Sequence, residues 1–236
     1  MIKMGRFMGF LAISAVCASS SCAAPMESNL KVMWTTNIIP YFINSKVSKI
    51  SEFSGLLDKD WDESLTVVLR KNGSARKINT CKALLGAFYG KGVDRTIPAV
   101  DYSNMLAWRV SCGALKRMHR LAPSKYSYVN FNIKPILSQL SSVRIPSKYG
   151  PTRLFFKSLQ NIKNIKCEPD KSCMIKTDEE EFLLMPLALG DYNQDGIQDL
   201  MLQANSSPIG GGGSSSVGVI VTRNSPNGNL ELLNWW

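Results

Sequence analysis

At 236 residues, with 44% hydrophobic and 19% charged side chains, the chain holds enough apolar material for a sizeable core, which excludes an intrinsically disordered polypeptide. Its 28 Lys and Arg against 18 Asp and Glu give a formal net charge of +10, which fits either a face for an anionic partner or a solvated basic face that only keeps the protein soluble. Beyond the first residues no stretch approaches the roughly 20 apolar residues of a membrane helix.

The opening "MIKMGRFMGFLAISAVCASSSCAAP" sets Lys3 and Arg6 before an apolar run from Phe7 to Val16 and then a small-residue stretch. That is the layout of a secretory signal peptide, and Ser21 and Ala23 predict cleavage after Ala23, assigning residues 1–23 to the signal. Ser-Ala-Val before Cys17 and Ser-Ser-Ser before Cys22 fit a lipoprotein box poorly. The mature chain is therefore expected to be exported, periplasmic or secreted. Its four remaining cysteines are then an even set in an oxidising compartment. Cys167 and Cys173 flank "EPDKS", a turn-forming loop, which favours their pairing and leaves Cys81 with Cys112. The spacings do not match the short-spacer pairs of a four-cysteine zinc site.

Charge divides the mature chain. Residues 24–160 carry 21 Lys and Arg against 8 Asp and Glu, whereas residues 161–236 carry 5 against 10. The first segment reads as a basic α+β portion and the second as an antiparallel β portion, packed as one compact unit. Within 24–160, "NIIPYFI" and "LTVVLRK" have strand length and composition, with Pro40 arguing against a central position for the first. "NTCKALLGAFYGKG" places Cys81, Leu84, Leu85 and Phe88 on one helical face behind Asn79 and Thr80 as caps. "SNMLAWRVSCGALKRMHRLAP" predicts a longer helix capped by Ser103 and stopped by Pro123, with Met105, Trp108, Cys112 and Leu115 on its stripe. Both cysteines lie on apolar faces, which suits a helix-to-helix disulfide. "YSYVNFNI" and "TRLFFKSL" alternate like half-buried strands, with a short helix expected at "IKPILSQLSSV". From "CMIKT" through "EFLLMPLAL", "LMLQA", "VGVIVTRN" and "LELLNWW" the pattern is an antiparallel meander, interrupted by the Gly/Ser loop "SSPIGGGGSSS". The fold class expected is α+β.

The most specific chemistry lies in "GDYNQDGIQDL", Gly190 to Leu200. Asp191, Asn193 and Asp195 alternate so that a curled loop can turn three oxygens inward; Gly196 permits the sharp turn, the Ile197 carbonyl can face the same centre, and Asp199 adds a carboxylate. These are positions 1, 3, 5, 7 and 9 of a calcium loop with glycine at 6. Leu202 stands where an EF-hand needs its bidentate glutamate, and the flanks read as strands. The stretch from 183 to 203 resembles the calcium loops of FG-GAP and VCBS repeats, found in integrin-type propellers. That resemblance implies structural calcium at Asp191, Asn193, Asp195, the Ile197 carbonyl and Asp199. With one copy of the loop it does not imply a propeller. The competing reading is a polar hairpin tip held by side-chain turns. A second alternation, "LDKDWDES" with Asp58, Asp60 and Asp62, has Glu63 in place of the glycine and reads as an exposed turn or the start of a strand.

Catalytic signatures are weak. The single histidine, His119, is expected on the helical stripe of Cys112 and Leu115 near the basic end of the second helix and reads as a packed or helix-terminal residue; no Gly-x-Ser-x-Gly elbow accompanies Ser103 or Ser111, and the Gly/Ser loop lacks the lysine and helix of a phosphate cradle. Glu52 and Asp94 are the only carboxylates singled out for a hydrolase. The expected function is noncatalytic: an exported calcium-binding protein meeting an anionic protein or glycan, an inhibitor or immunity-type protein being one form, with nucleic acid disfavoured by export. A hydrolase with structural calcium and an envelope structural protein are the alternatives.

Overall fold

A computed structural model describes residues 30–236 apart from 41, 44, 63, 98–101, 148, 149 and 212. The expected signal peptide, with Cys17 and Cys22, lies outside the described residues, as does Glu63.

β1 (Met33–Trp34) is followed by a 3-10 turn at Thr36–Ile38 instead of the strand expected over "NIIPYFI". Ile38, Phe42 and Ile43 are buried there, so the apolar run is a packed loop. Pro40 has no N–H to give a ladder, and its carbonyl closes a turn on the Ile43 N–H at 2.9 Å. A 3-10 turn at Ile50–Glu52 leads into α1 (Phe53–Leu56). β2 (Leu65–Leu69) is the centre of a three-stranded antiparallel sheet between β3 (Ala75–Ile78) and β4 (Val93–Ile97). Between those edge strands runs α2 (Cys81–Gly86), continued by a π turn at Ala87–Lys91. Thr80 caps it, its Oγ1 accepting the Ala83 N–H at 3.1 Å.

α3 (Tyr102–Met118) begins one residue ahead of the expected cap Ser103. Met105, Trp108, Cys112 and Leu115 form its buried stripe as the periodicity predicts. Its last turn closes through Arg120 N to Arg117 O at 3.0 Å and Leu121 N to Met118 O at 3.1 Å. Then come β5 (Tyr126–Ser127), a 3-10 turn at Lys134–Ile136 running into α4 (Leu137–Leu140), and the hairpin of β6 (Arg144–Ser147) with β7 (Gly150–Leu154). The strands expected over "YSYVNFNI" and "TRLFFKSL" are thus shorter than their alternation suggests. Asn130 Oδ1 accepts the Asn132 N–H at 2.7 Å, a local turn that competes with pairing. After a 3-10 turn at Lys157–Asn161 the chain forms β8 (Asn164–Cys167), β9 (Cys173–Lys176), β10 (Glu180–Gly190), β11 (Ile197–Pro208), β12 (Ser215–Thr222) and β13 (Glu231–Trp235).

These last six strands pair in sequence order as the predicted antiparallel meander. β1 adds antiparallel to β10 and β5 parallel to β11, completing an eight-stranded sheet that does not close on itself. Cys81 is bonded to Cys112 and Cys167 to Cys173, the two expected disulfides. The first ties α2 to α3; the second ties β8 to β9.

The sheet separates two cores. One joins α1, α2, α3 and β2 to Leu187, Ala188, Met201 and Ile220; the other joins residues 129–159 to Phe182, Leu184, Leu200, Leu202, Val219 and Val221. A register shift between Pro186 and Ala188 makes this possible in β10. Even-numbered Phe182 and Leu184 face the second core, yet beyond the irregularity it is Leu189 that faces it and Ala188 that faces the first. One extra residue inverts the alternation. Pro186, unable to donate to a ladder, sits where the pairing breaks, and Thr35 Oγ1 donates to its carbonyl at 2.7 Å.

α3 meets β12 through Trp236. The indole Nε1 donates to Val110 O at 2.6 Å, and a Cβ added at either Gly113 or Gly218 would overlap the ring. The two glycines form the slot that the tryptophan fills.

Candidate functional site: an acidic loop beside a basic hollow

The acidic stretch is the tip of the β10–β11 hairpin, between Gly190 and Ile197. Strands on both sides agree with the reading of a strand-loop-strand turn. The tip turns sharply through Gln194 at φ 65° and Gly196 at φ 87°, the second a conformation that favours glycine. Segment 122–127, which follows α3, grips the tip from outside. Ala122 and Asp191 exchange backbone hydrogen bonds at 2.9 and 2.8 Å, while Lys125 and Tyr126 both donate to Gly196 O, at 2.8 and 3.0 Å. Gly190 lets this segment approach: an added Cβ there would stand 3.1 Å from Leu121 Cβ and 3.2 Å from Ala122 O.

Inside the tip the carboxylates organise the backbone. Asp191 Oδ1 accepts the Gln194 N–H at 2.7 Å and Oδ2 the Gly196 N–H at 2.7 Å. Asp195 Oδ1 accepts the Ile197 N–H at 2.7 Å, and its Oδ2 accepts from Asn193 Nδ2 at 2.8 Å. Asp199 reaches back from β11 so that Oδ2 accepts the Tyr192 N–H at 2.7 Å. Asp191 and Asp199 are buried, and Asn193 and Asp195 are exposed.

Burial pushes the Asp199 carboxyl up to about 6, helped by the charges of Asp195 and Asp191 and opposed by the Tyr192 N–H and the Thr222 hydroxyl. Asp199 Oδ1 and Thr222 Oγ1 are both buried without a hydrogen bond of good geometry, so the hydroxyl acts on the carboxylate by proximity.

Among the described residues no three His, Cys, Asp or Glu side chains are gathered on a common metal position. The loop as folded is satisfied largely by its own amides, the arrangement of a side-chain-stabilised turn. Its donors nonetheless suit a hard cation in kind. Each named position offers oxygen; Asp191 Oδ1 takes two N–H groups, from Gln194 and Asp195, but a carboxylate oxygen that accepts one, such as Asp191 Oδ2 or Asp195 Oδ1, keeps a second lone pair, and none of the three aspartates is ion-paired among the described residues. Among the described residues Asp199 Oδ1 is the one buried carboxylate oxygen that makes no hydrogen bond of good geometry, the Thr222 hydroxyl being the donor at hand. The bonds from Lys125 and Tyr126 fall on the Gly196 carbonyl, and Ile197 stands opposite Tyr126 in the β5–β11 register.

The other singled-out residues stand apart from this tip. Asp58 pairs with Lys82 at 3.0 Å and Asp60 accepts from Asn79 Nδ2 at 2.7 Å, both in an exposed turn, as read from the sequence. Glu52 is spent on its own turn: the Ser48 N–H at 2.9 Å, with the Lys49 N–H and the Ser48 hydroxyl, holds its carboxyl below the usual range. Asp94 lies exposed on β4. Ser111 Oγ lies 3.0 Å from Gln203 Oε1, tying α3 to β11. His119 sits just past α3 and is exposed; Met118, not His119, continues the buried stripe.

His119 lines a hollow of about 260 Å³ that pattern reading did not find. Its walls are Leu85 and Tyr89 from the α2 region, Gly113, Lys116, Arg117 and Arg120 from the end of α3, Tyr192 from the acidic tip and Asn234 from β13. Only the basic run "LKRMHR" marked the place in advance.

No protein-family model, curated protein or solved structure matches this chain.

Proposed function

We propose that this chain is an exported, noncatalytic protein that binds structural calcium at the β10–β11 tip and receives an anionic protein or glycan through its basic portion. The observation that carries the calcium half is Asp199 Oδ1, a fully buried carboxylate oxygen that the Thr222 hydroxyl approaches without a hydrogen bond of good geometry, set behind an alternation of oxygen-bearing side chains. Asp191, Asn193, Asp195, the Ile197 carbonyl and Asp199 would hold the ion, in keeping with the resemblance to FG-GAP and VCBS loops. Bound there, calcium supplies the positive charge that three neighbouring carboxylates lack and cross-braces the hairpin. Asp195 and Asn193 are exposed and engage each other, so they are free to exchange that contact for an ion.

The disulfides Cys81–Cys112 and Cys167–Cys173 support an oxidising, extracytoplasmic setting, and among the described residues no helix is long and apolar enough to cross a membrane. The excess of 21 cations over 8 anions in residues 24–160 supports an anionic partner.

Thermal melting with calcium and with chelator tests the proposal. Chelation is expected to lower Tm, since a site at a hundredfold its Kd contributes about 2.7 kcal/mol, and Asp195→Ala is expected to abolish that response. Superimposable curves with and without calcium would sink the calcium reading.

A further inference from the structure

We propose that the hollow at the C-terminal end of α3 is a binding site for a compact oxyanion, a carboxylate, phosphate or sulfate group, held by Lys116, His119, Arg120 and the Tyr192 hydroxyl. It deepens the anionic-partner half of the function above and rests on that half alone.

The decisive feature is a surplus of donors. Tyr192 Oη accepts from Asn234 Nδ2 at 2.6 Å and from Arg120 Nη1 at 3.1 Å. Two incoming donors fill both lone pairs, so the phenolic proton needs an acceptor. No carboxylate lines the hollow, the Asn234 amide oxygen already accepts the Trp235 N–H at 2.7 Å, and the Gly113 carbonyl already accepts from Arg117. Lys116 and His119 make no hydrogen bond or ion pair among the described residues, and Arg117 Nε is buried without a partner.

Cations at a helix C-terminus have an ordinary explanation, because they offset the negative end of its dipole. Arg117 fits it. Its Nη1 donates to Gly113 O at 3.0 Å, and its guanidinium stacks over the Trp236 ring at 4.2 Å. Burial lowers its pKa, and the charge of Arg120 adds to that while Tyr89 and Tyr192 resist. His119 and Arg120 follow the last helical residue, where the dipole still favours positive charge, but the dipole does not fix where the Arg120 guanidinium points. The Arg120 guanidinium instead stands 5.9 Å from the Tyr192 ring and is held at the mouth by that residue's hydroxyl. Positive charge is gathered, oriented and left without a counter-charge, which is what an oxyanion requires of its site. A volume of about 260 Å³ admits one such group with part of its hydration shell. Tyr89, 59% exposed at the rim, can lie against whatever carries it.

Isothermal titration of the disulfide-intact protein with sodium phosphate, sulfate and acetate, at ionic strength held constant with sodium chloride, tests the site. Saturable one-to-one binding of at least one probe is expected. Lys116→Gln with Arg120→Gln, both exposed positions, should weaken it about tenfold or more, and Tyr192→Phe by a smaller factor with the fold intact by circular dichroism. A preference for phosphate or sulfate assigns a tetrahedral group, and a preference for acetate assigns a carboxylate. Absence of saturable binding to all three, or binding unchanged in the double variant, overturns the inference. Phosphate binding with melting insensitive to calcium would overturn only the calcium reading, and calcium-dependent melting without anion binding only this one.

Discussion

Replacing Asp199 by Asn separates the calcium reading from the polar-turn reading in one variant. The carboxyl is fully buried and its pKa lies near 6 rather than at 3.8. The folded state therefore holds a proton that the unfolded state releases, so the contribution of Asp199 to stability is fully present below pH 3.8 and is lost as pH rises toward 6. A shift of that size amounts to about 3 kcal/mol by linkage, at the upper end because partial relaxation reduces it. The amide introduced by Asp199→Asn keeps an oxygen for the Tyr192 N–H and carries no charge. In chelator at pH 7, Asp199→Asn should then be more stable than the parent by about 1–3 kcal/mol, a rise in Tm of a few degrees, and should flatten the pH dependence between about 4 and 7. In calcium the order reverses, because the parent gains from the ion and the variant does not. Urea unfolding followed by fluorescence of the five tryptophans, at several pH values with calcium or chelator, reads both effects. A variant less stable than the parent in chelator, with the same slope against pH, would show that the charge of Asp199 is well solvated by the loop and would refute the reasoning.

The packing supports further tests. Closing the 31-residue separation between Cys81 and Cys112 restricts the unfolded chain more than the separation of 6 between Cys167 and Cys173. Paired replacement by Ser should thus cost about 3–4 kcal/mol at the first and about 2 kcal/mol at the second, read by denaturant titration; equal losses would contradict the loop-entropy account. Gly218→Ala should destabilise by about 1–3 kcal/mol because the new Cβ overlaps the Trp236 ring, and Trp236→Ala by about 3–5 kcal/mol. Combining them tests the slot directly: with the ring gone, Gly218→Ala should cost little, and full additivity in that double-mutant cycle would show that the two residues do not act on each other.

The C-terminal meander and both disulfides were legible in the sequence because turn residues, period-two alternation and cysteine spacing are local signals. What was not legible depended on partners remote in the chain. "NIIPYFI" is as apolar as a strand, but its burial serves the ring cluster of Phe42, Trp61 and Trp108, with centroids 4.6 to 5.3 Å apart. Short apolar runs carry no period that could distinguish the two outcomes. β4, rich in polar residues, takes its place beside β2 without an alternation that marks it. In β10 only Pro186 hints that the alternation inverts, and nothing local says in which direction.

The same distinction applies to the sites. The oxygen-bearing residues of the tip fall within nine consecutive positions, from Asp191 to Asp199, so their types and spacing were readable, although how far they converge was not. The basic hollow draws on residues from 85 to 234 and left only a charge imbalance and the run "LKRMHR" in the sequence. Tyr192 joins the two. In the alternation of oxygen-bearing residues it falls between Asp191 and Asn193, yet its N–H holds Asp199 while its ring and hydroxyl hold Arg120. Its N–H is fixed to Asp199 at 2.7 Å, so the hydrogen bonds that shape the tip also aim the Tyr192 side chain at Arg120 and Asn234. The side-chain-to-backbone bonds that hold the acidic tip therefore determine, by the same geometry, what the loop presents to the basic hollow.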